Sequence, residues 1–222
     1  MAVTASKAMQ TGRLARLSFG GLSFGGFTLA LSLALSGCVS LGVEVPDSLL
    51  TLTPAATAPA GTSAEAGGEG QSGAIAVLTP EVPAKLDVLR VPVNVSQTEI
   101  AYIPDAFWVE KPARLFRRVL GESLRVRASE TEMGAVILDS DDTPLRAATF
   151  LRGNLIELGY DAPTGSVVVR YDAVRSDAKG EAVTRRFEAR EDGVEADAAA
   201  IGPALNRAVN AVAGDVAQWM MP

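Results

Sequence analysis

Alternating hydrophobic and polar positions mark the second half of the chain and predict a run of β-strands. Between Ser166 and Arg175 one face is apolar and the other is mixed, the two sets being Val167, Val169 and Tyr171 against Val168, Arg170 and Asp172. The same period of two recurs in Ala182–Arg190, and a longer β-prone segment, Leu145–Leu158, comes before both, with Gly153 as a candidate bulge. Turn-forming residues separate the three segments, so we expect an antiparallel meander.

Two other segments repeat apolar residues every three or four positions, which predicts amphipathic helices. The first is expected from Pro112, a residue type that is favoured in the first helical turn, to about Val126. Its apolar stripe consists of Leu115, Phe116, Val119, Leu120 and Leu124. The second helix is expected over about 195–220, with a stripe of Ile201, Leu205, Val209, Val212, Val216 and Trp219. Its many alanines favour close packing on a sheet.

Shorter β-prone segments complete the predicted fold. They are Ala74–Leu78, a proline-punctuated stretch over 80–95, Thr98–Ile103 and the brief Ala135–Leu138. Together with the meander and the helices, they predict an α+β domain over residues 74–222. We expect an antiparallel or mixed β-sheet packed by two main helices, at about 112–126 and 195–220, and a single domain after the N-terminal signal and linker.

The N-terminal pattern is of another kind, because no charged residue lies between Leu17 and Leu35. Basic residues precede this stretch, and the small residues that follow it end at Cys38, the only cysteine in the chain. This order is typical of a bacterial lipoprotein signal. We therefore predict a signal peptide over 1–37 and a diacylglycerol and palmitate anchor on Cys38. The 19 uncharged residues also approach the length of a membrane span, so a transmembrane anchor remains the alternative.

The segment over 38–73 is predicted to be a tether. It contains a short β-prone run at Ser48–Thr53 and then twenty residues, 54–73, that are rich in Ala, Pro, Gly, Ser and Thr. Because these residues lack large apolar side chains, we expect them to be flexible, with a reach of roughly 25 Å. The glycines at 68, 70 and 73 have dinucleotide-loop spacing but no preceding strand, so we expect no cofactor there.

Composition narrows the function classes further. The signal holds three of the 20 basic residues and none of the 26 acidic ones, so the mature chain carries a net charge of −9. This charge argues against nucleic-acid binding. The chain has no histidine, which removes the common catalytic triads and zinc sites. The aspartates of the turn at 139–144 do not fit a calcium loop. We expect no catalytic residue, cofactor or metal, and hence no enzyme.

Two features remain as candidate contact sites. Arg114, Arg117, Arg118 and Arg125 lie off the apolar stripe of the first helix, where they form either a solvated face or a partner contact. Tyr102 and Trp108 flank the turn before that helix. Both are candidates for partner contact, since aromatic residues are enriched at interfaces, although core packing is the competing interpretation.

The order of these parts resembles a known family. A lipid-attachment motif leads to a β-prone run, then Leu86-Asp87 with Arg90-Val91, then Glu99-Ile-Ala-Tyr102 and Phe107-Trp108-x-x-x-Pro112. An Arg- and Leu-rich helix, a meander and a C-terminal helix follow. This pattern resembles the ABC-type transport auxiliary lipoproteins, which include the PqiC-like proteins, from about Leu49 to the C-terminus.

The resemblance implies a non-catalytic accessory lipoprotein on the periplasmic side of the outer membrane. Its partners would be an inner-membrane ABC transporter and an MCE-domain protein, with which it would move lipids between the two membranes. Val39 after the cysteine, where Asp would resemble an inner-membrane retention signal, favours the outer membrane. Homo-oligomerisation is compatible with this function. The competing hypotheses are a generic envelope assembly lipoprotein and a lipid-anchored hydrolase that uses paired carboxylates.

Overall fold

The computed structural model describes residues 48–64, 73–131, 135–140 and 147–221. Its strands are β1 (Ile75–Val77), β2 (Arg90–Asn94), β3 (Ile100–Phe107), β4 (Ile137–Leu138), β5 (Thr149–Asp161), β6 (Ser166–Asp177) and β7 (Ala182–Asp192). Its helices are α1 (Pro112–Glu130) and α2 (Ala198–Met220), and a single 3₁₀ turn covers Ala84–Leu86. The predicted α+β class, with a mixed sheet and two helices, is confirmed.

Strand β5 lies at the centre of the sheet. β6 pairs with it antiparallel along its whole length, from Thr149 opposite Asp177 to Asp161 opposite Ser166. On its other side, β1 and β2 run parallel to it, one beside each end. β7 continues the sheet beyond β6, and β3 continues it beyond β2, both antiparallel. β3 and β7 are therefore edge strands on opposite sides of β5, and β4 lies beside β1.

The predicted bulge in β5 lies further along the strand than expected. Gly153 stays in register with Ala173, and the register shifts between Leu155 and Glu157 instead. Gly153 serves another purpose, because a Cβ atom there would lie 2.1 Å from the carbonyl oxygen of Asp172. The glycine thus permits close approach of two backbones rather than an extra residue in the strand.

Both helices differ from their predicted bounds by a few residues. α1 begins at Pro112 as expected and continues to Glu130, after which Thr131 takes an extended conformation. α2 begins at Ala198, because the Asp197 carboxylate accepts a hydrogen bond from the Ala200 N–H at 2.9 Å. Such an N-cap satisfies a free backbone donor and fixes the start of the helix.

The core lies between the sheet and the two helices, which both cover the same side of the sheet. The Phe116 ring of α1 contacts the Tyr171 ring of β6 edge-on, with a centroid distance of 5.1 Å. Burial raises the pKa of the Tyr171 phenol, whose hydroxyl donates to the Arg152 carbonyl oxygen at 2.9 Å. Three alanines of α2 are fully buried, at 204, 208 and 213. Small side chains such as these allow α2 to pack closely on its neighbours.

The segment over 48–58 belongs to the folded domain, although the sequence predicts that residues from 54 onward are flexible. Leu52 is buried in the core cluster, and the backbone N–H groups of Thr53, Ala55 and Ala58 are all hydrogen-bonded to side chains of the two helices. The folded domain therefore begins upstream of Ala74. The partners of this segment lie on other elements, so its own composition gives no sign of them.

Candidate functional surfaces

Two asparagines of α2 hold the N-terminal segment in place. The Thr53 N–H donates to Asn206 Oδ1 at 2.8 Å, and the Ala55 N–H donates to Asn210 Oδ1 at 2.6 Å. Asn210 also donates through Nδ2 to the Thr53 carbonyl oxygen at 2.9 Å. One carboxamide thus satisfies both a donor and an acceptor of the segment, as a neighbouring β-strand would. This arrangement fixes the direction in which the segment crosses the helix.

Further along, the same segment closes a cavity of about 410 Å³ over α1. The Ala58 N–H donates to Glu122 Oε1 at 2.7 Å. Arg125 forms ion pairs with Glu122, at 3.0 Å, and with Asp139. Burial alone would lower the pKa of Arg125, but its hydrogen bonds and the two carboxylates outweigh burial and raise it. The charged groups among the described lining residues are thus already paired with each other, so the cavity presents no free charge to a ligand.

A second surface lies where the N-terminal segment meets the end of β3. The Leu50 N–H donates to the Phe107 carbonyl oxygen at 2.7 Å, and the Val109 N–H donates to the Leu50 carbonyl oxygen at 2.9 Å. Leu50 and Trp108 are therefore partners in a parallel bridge. Trp108 is buried, and successive side chains of an extended segment point alternately inward and outward. The residues that flank the two bridge partners, namely Leu49, Phe107 and Val109, therefore face away from the core.

The outward side of β2 and β3 continues this surface. The Arg90 guanidinium lies 4.9 Å from the centre of the Tyr102 ring and 5.9 Å from that of Phe107, a cation–π arrangement. Ile100 is 43% exposed and pairs with Asn94 across the hairpin. We call this surface the tether-side patch, and it consists of Leu49, Arg90, Ile100, Tyr102, Phe107 and Val109.

The two aromatic contact candidates have different positions. Tyr102 is half-buried and lies in the tether-side patch, where its ring contacts Arg90. Trp108 is only 1% exposed and packs in the core, so in this structure it offers no surface to a partner. Its indole Nε1 has no hydrogen-bond partner among the described residues. A strict period of two would place both on one face, and the register shift between β2 and β3, together with Asp105 at positive φ, separates them.

The arginines of α1 are engaged within the domain. Arg118 pairs with Glu110, and Arg125 pairs with Glu122 and Asp139. Arg114 and Arg117 also have partners in the structure. The arginine face is therefore partly neutralised, and the patch around Tyr102 is the more distinctive of the two surfaces.

On the same side of the sheet, β6 and β7 carry a charged surface instead. Arg170 pairs with Glu188 at 2.6 Å, and Arg186 makes two hydrogen bonds to the Asp172 carboxylate at 2.6 and 2.7 Å. The guanidinium of Arg186 lowers the pKa of Asp172, chiefly through these hydrogen bonds. We call these four residues the charged ladder.

Several sequence predictions concern residues outside the described ranges. Cys38 and the signal over 1–37 are among them, as are the glycines at 68 and 70 and the aspartates at 141 and 142. Asp139, the first residue of that acidic turn, is described and forms an ion pair with Arg125. No group of metal-ligating side chains occurs within the described residues. None of the helices in that part of the chain has the length and hydropathy to cross a membrane.

Comparisons with known proteins agree with one another. The model of a family described as the ABC-type transport auxiliary lipoprotein component matches residues 51–217. Protein XCC0632 from Xanthomonas campestris has a similar fold, with a TM-score of 0.60 and 16% identity over 78% of this chain and 94% of that one. An uncharacterised protein gives a TM-score of 0.58 and 13% identity over 78% and 99% of the two chains. No curated protein matches the sequence.

Proposed function

Because the chain belongs to the ABC-type transport auxiliary lipoprotein family, we propose that it is an accessory subunit of a lipid transport system. In this proposal a lipid on Cys38 anchors it in the outer membrane, and the domain faces the periplasm. It acts without catalysis, together with an inner-membrane ABC transporter and an MCE-domain protein, to pass lipids between the two membranes. The family description supports the ABC-type partner, and the MCE-domain partner is the finer part of the proposal.

The docked N-terminal segment is the observation that carries this function. Only nine residues lie between Cys38 and Ser48, the first described residue, and the ten steps along the chain from one to the other span at most about 36 Å when fully extended. Since the chain joins the domain at Leu50 and Leu52, the tether is shorter than a linker that ends at residue 73 would be. A lipid on Cys38 would therefore hold the domain beside its membrane, and the partner must reach it there.

The chemistry of the chain supports a binding role rather than catalysis. The chain contains no histidine and no cysteine besides Cys38, so the usual nucleophile and base pairs are absent from the sequence. The strongly shifted phenol of Tyr171 is buried against the helices, which is a structural position. What the domain offers to a partner is surface, namely the tether-side patch and the charged ladder.

The test is co-purification from detergent-solubilised envelopes, with a tagged full-length chain and a Cys38→Ser variant as its control. We expect the native chain to recover ABC and MCE components from the membrane fraction and to carry lipid on its N-terminal peptide by mass spectrometry. The variant should lose the lipid and the stable membrane association that the lipid provides, while keeping its circular dichroism spectrum. Recovery of outer-membrane assembly proteins in place of transport components would contradict the proposal. A variant that stays in the membrane with an uncleaved signal would establish a transmembrane anchor instead.

A further inference from the structure

Exposed large hydrophobic side chains are concentrated at one end of the domain. Six such residues occur in the described part of the chain, namely Leu49, Leu89, Val95, Ile100, Val109 and Val183. Five of them lie between residues 49 and 109, on or beside β2 and β3, and only Val183 lies on β7. Single exposed hydrophobic residues are ordinary, but a cluster of them marks an interaction surface.

The tether-side patch combines three kinds of group. Leu49 and Val109, each 51% exposed, supply aliphatic surface. Tyr102 and Phe107 add aromatic rings, and Arg90 lies across both rings. Within the described residues Arg90 makes no ion pair, whereas the nearby acids Asp87 and Glu110 are neutralised by Lys111 and Arg118. Aromatic rings with an adjacent cation are typical of protein surfaces that lie at the membrane–water interface.

The position of the tether indicates what the tether-side patch contacts. The chain from Cys38 enters the domain at Leu49, which is itself a member of the patch. With at most about 36 Å of extended chain between the lipidated residue and the domain, the patch is the part of the domain nearest to the anchor along the chain. β7 is four strand positions away from β3 through β2, β5 and β6, or roughly 19 Å at the usual spacing between strands.

Addition of another β-strand to this edge is disfavoured. Pro104 in β3 has no N–H to donate, and Asp105 has a φ of 57°, so the edge is interrupted for a peptide or a second copy. Two exposed acids also lie at this edge, Glu99 just before β3 and Asp105 within it. Apolar contact, rather than attraction between charges, must therefore dominate what binds here.

From these observations we infer that the tether-side patch lies on the lipid surface of the membrane that holds Cys38. The inference deepens the proposed function, because it rests on the lipid anchor and adds an orientation to it. The β3 edge lies on the membrane, and the charged ladder of β6 and β7, on the same side of the sheet but toward its opposite edge, stands off from the lipid and is left open to a soluble partner.

The two valines, Val109 and Val183, make a matched test. Both are 51% exposed, one in the patch and one on the far edge strand. Because a lipidated Cys38 cannot react with thiol reagents and no other cysteine exists, Val109→Cys and Val183→Cys each give one labelling site. The labelled full-length proteins are mixed with vesicles of phosphatidylethanolamine and phosphatidylglycerol that contain a nitroxide phospholipid, using an environment-sensitive fluorophore.

We expect the label at 109 to shift to the blue and to be quenched at least twofold more strongly than the label at 183. Equal quenching of the two labels, or none, would overturn the orientation. A blue shift at 109 that needs no vesicles and grows with protein concentration would also overturn it, in favour of a second copy. Thermal melts of both variants check the fold, which these exposed positions should leave intact.

Lipid on Cys38 is measured separately by mass spectrometry of the N-terminal peptide. If the native chain carries no lipid, the proposed anchor is contradicted, and quenching of the label at 109 in a Cys38→Ser, Val109→Cys chain would still support the docking surface. In a second arm, Val109→Ser should weaken the sedimentation of the unanchored Cys38→Ser chain with vesicles by about fivefold, since roughly half a valine side chain loses apolar burial. Val183→Ser should leave it unchanged, and equal effects of both would count against the patch.

Discussion

On the open side of the sheet, the end formed by β2 and β3 presents Tyr102, Phe107 and Ile100, whereas the end formed by β6 and β7 presents two ion pairs. Helices lie behind both ends, so the difference that a partner would meet on the open side lies in the outward residues. The buried core residues account for the fold at both ends of the sheet and do not distinguish one end from the other. The outward residues therefore carry the information about what each end contacts.

The two edge strands also limit unwanted pairing in different ways. β3 does so through its backbone, with Pro104 and with Asp105 at positive φ. β7 is regular over eleven residues and pairs with β6 along its whole length, and six of its residues are charged. Charges on an exposed edge discourage association between sheets. An edge protected by its backbone is free to carry apolar side chains, which is what the tether-side patch requires.

The largest effect should come from separating the two ends at β5. A Cβ atom on Gly159 would lie 2.5 Å from the Pro92 carbonyl oxygen, and a backbone atom of the neighbouring strand cannot move aside cheaply. We expect Gly159→Ala to destabilise the domain by about 3 kcal/mol, at the upper end for overpacking, measured by urea unfolding. Hydrogen exchange should increase in β2 and β3 more than in β6 and β7.

Gly214→Ala is the control for this change. Gly214 lies in α2 and has no atom near a Cβ position, and alanine is the better helix former by up to about 1 kcal/mol. This variant should be as stable as the native chain or more so. Equal loss of stability in both variants would mean that the packing of β2 on β5 does not hold the patch end in place.

The next effect concerns the N-terminal segment, which belongs to the patch end alone. Asn210→Ala removes a donor and an acceptor for the backbone of Thr53 and Ala55. We expect a loss of about 1–2 kcal/mol and faster hydrogen exchange at Ala55, whose N–H loses its acceptor, with β6 and β7 unchanged. Gln218→Ala, which removes an exposed carboxamide from the same helix, should do neither. Unchanged exchange at Ala55 would show that Leu52 and Asn206 dock the segment without Asn210.

Periodicity predicted the elements well because it reports local burial. The stripes of α1 and α2 and the alternation of β6 hold, and in β7 Phe187 is buried as expected but Val183, predicted on the same apolar face, is exposed. The helix ends shift only where the Asp197 cap or the Thr131 geometry decides them. The docking of residues 54–58 onto the two helices could not be predicted from periodicity. Its hydrogen bonds join residues more than sixty positions apart, and nothing in the Ala- and Pro-rich stretch itself requires them.

The candidate site was predictable only in part, for the same reason. Tyr102 was identified as a contact candidate and lies at the surface, but Trp108 received the same interpretation and is buried. The sequence predicts a turn between the two, but β3 continues through Pro104 and Asp105, and an aromatic residue at such a position suits both environments. Leu49 and Val109 join the patch through the bridge between Leu50 and Trp108, a contact that is set by the tertiary fold. The family resemblance, rather than any local residue pattern, indicated the transport function.

The smallest effect should come from the charged ladder at the other end. The Arg186 guanidinium lowers the pKa of Asp172, so the folded state favours the ionised carboxylate. The resulting stability is present above the ordinary aspartate pKa, about 4, and is lost as the pH falls through the lowered value. Because the Arg186 side chain is 63% exposed, solvent screens the pair, and Asp172→Asn should lower the melting temperature at pH 7 by no more than about 2 °C.

The difference in melting temperature between this variant and the native chain should vanish well below pH 4. Asp215→Asn, which removes a carboxylate without an ion pair among the described residues, should show no such trend. A difference that persists at low pH would assign the ladder a packing role, and the contrast between an apolar docking end and a charged end would then rest on the patch alone.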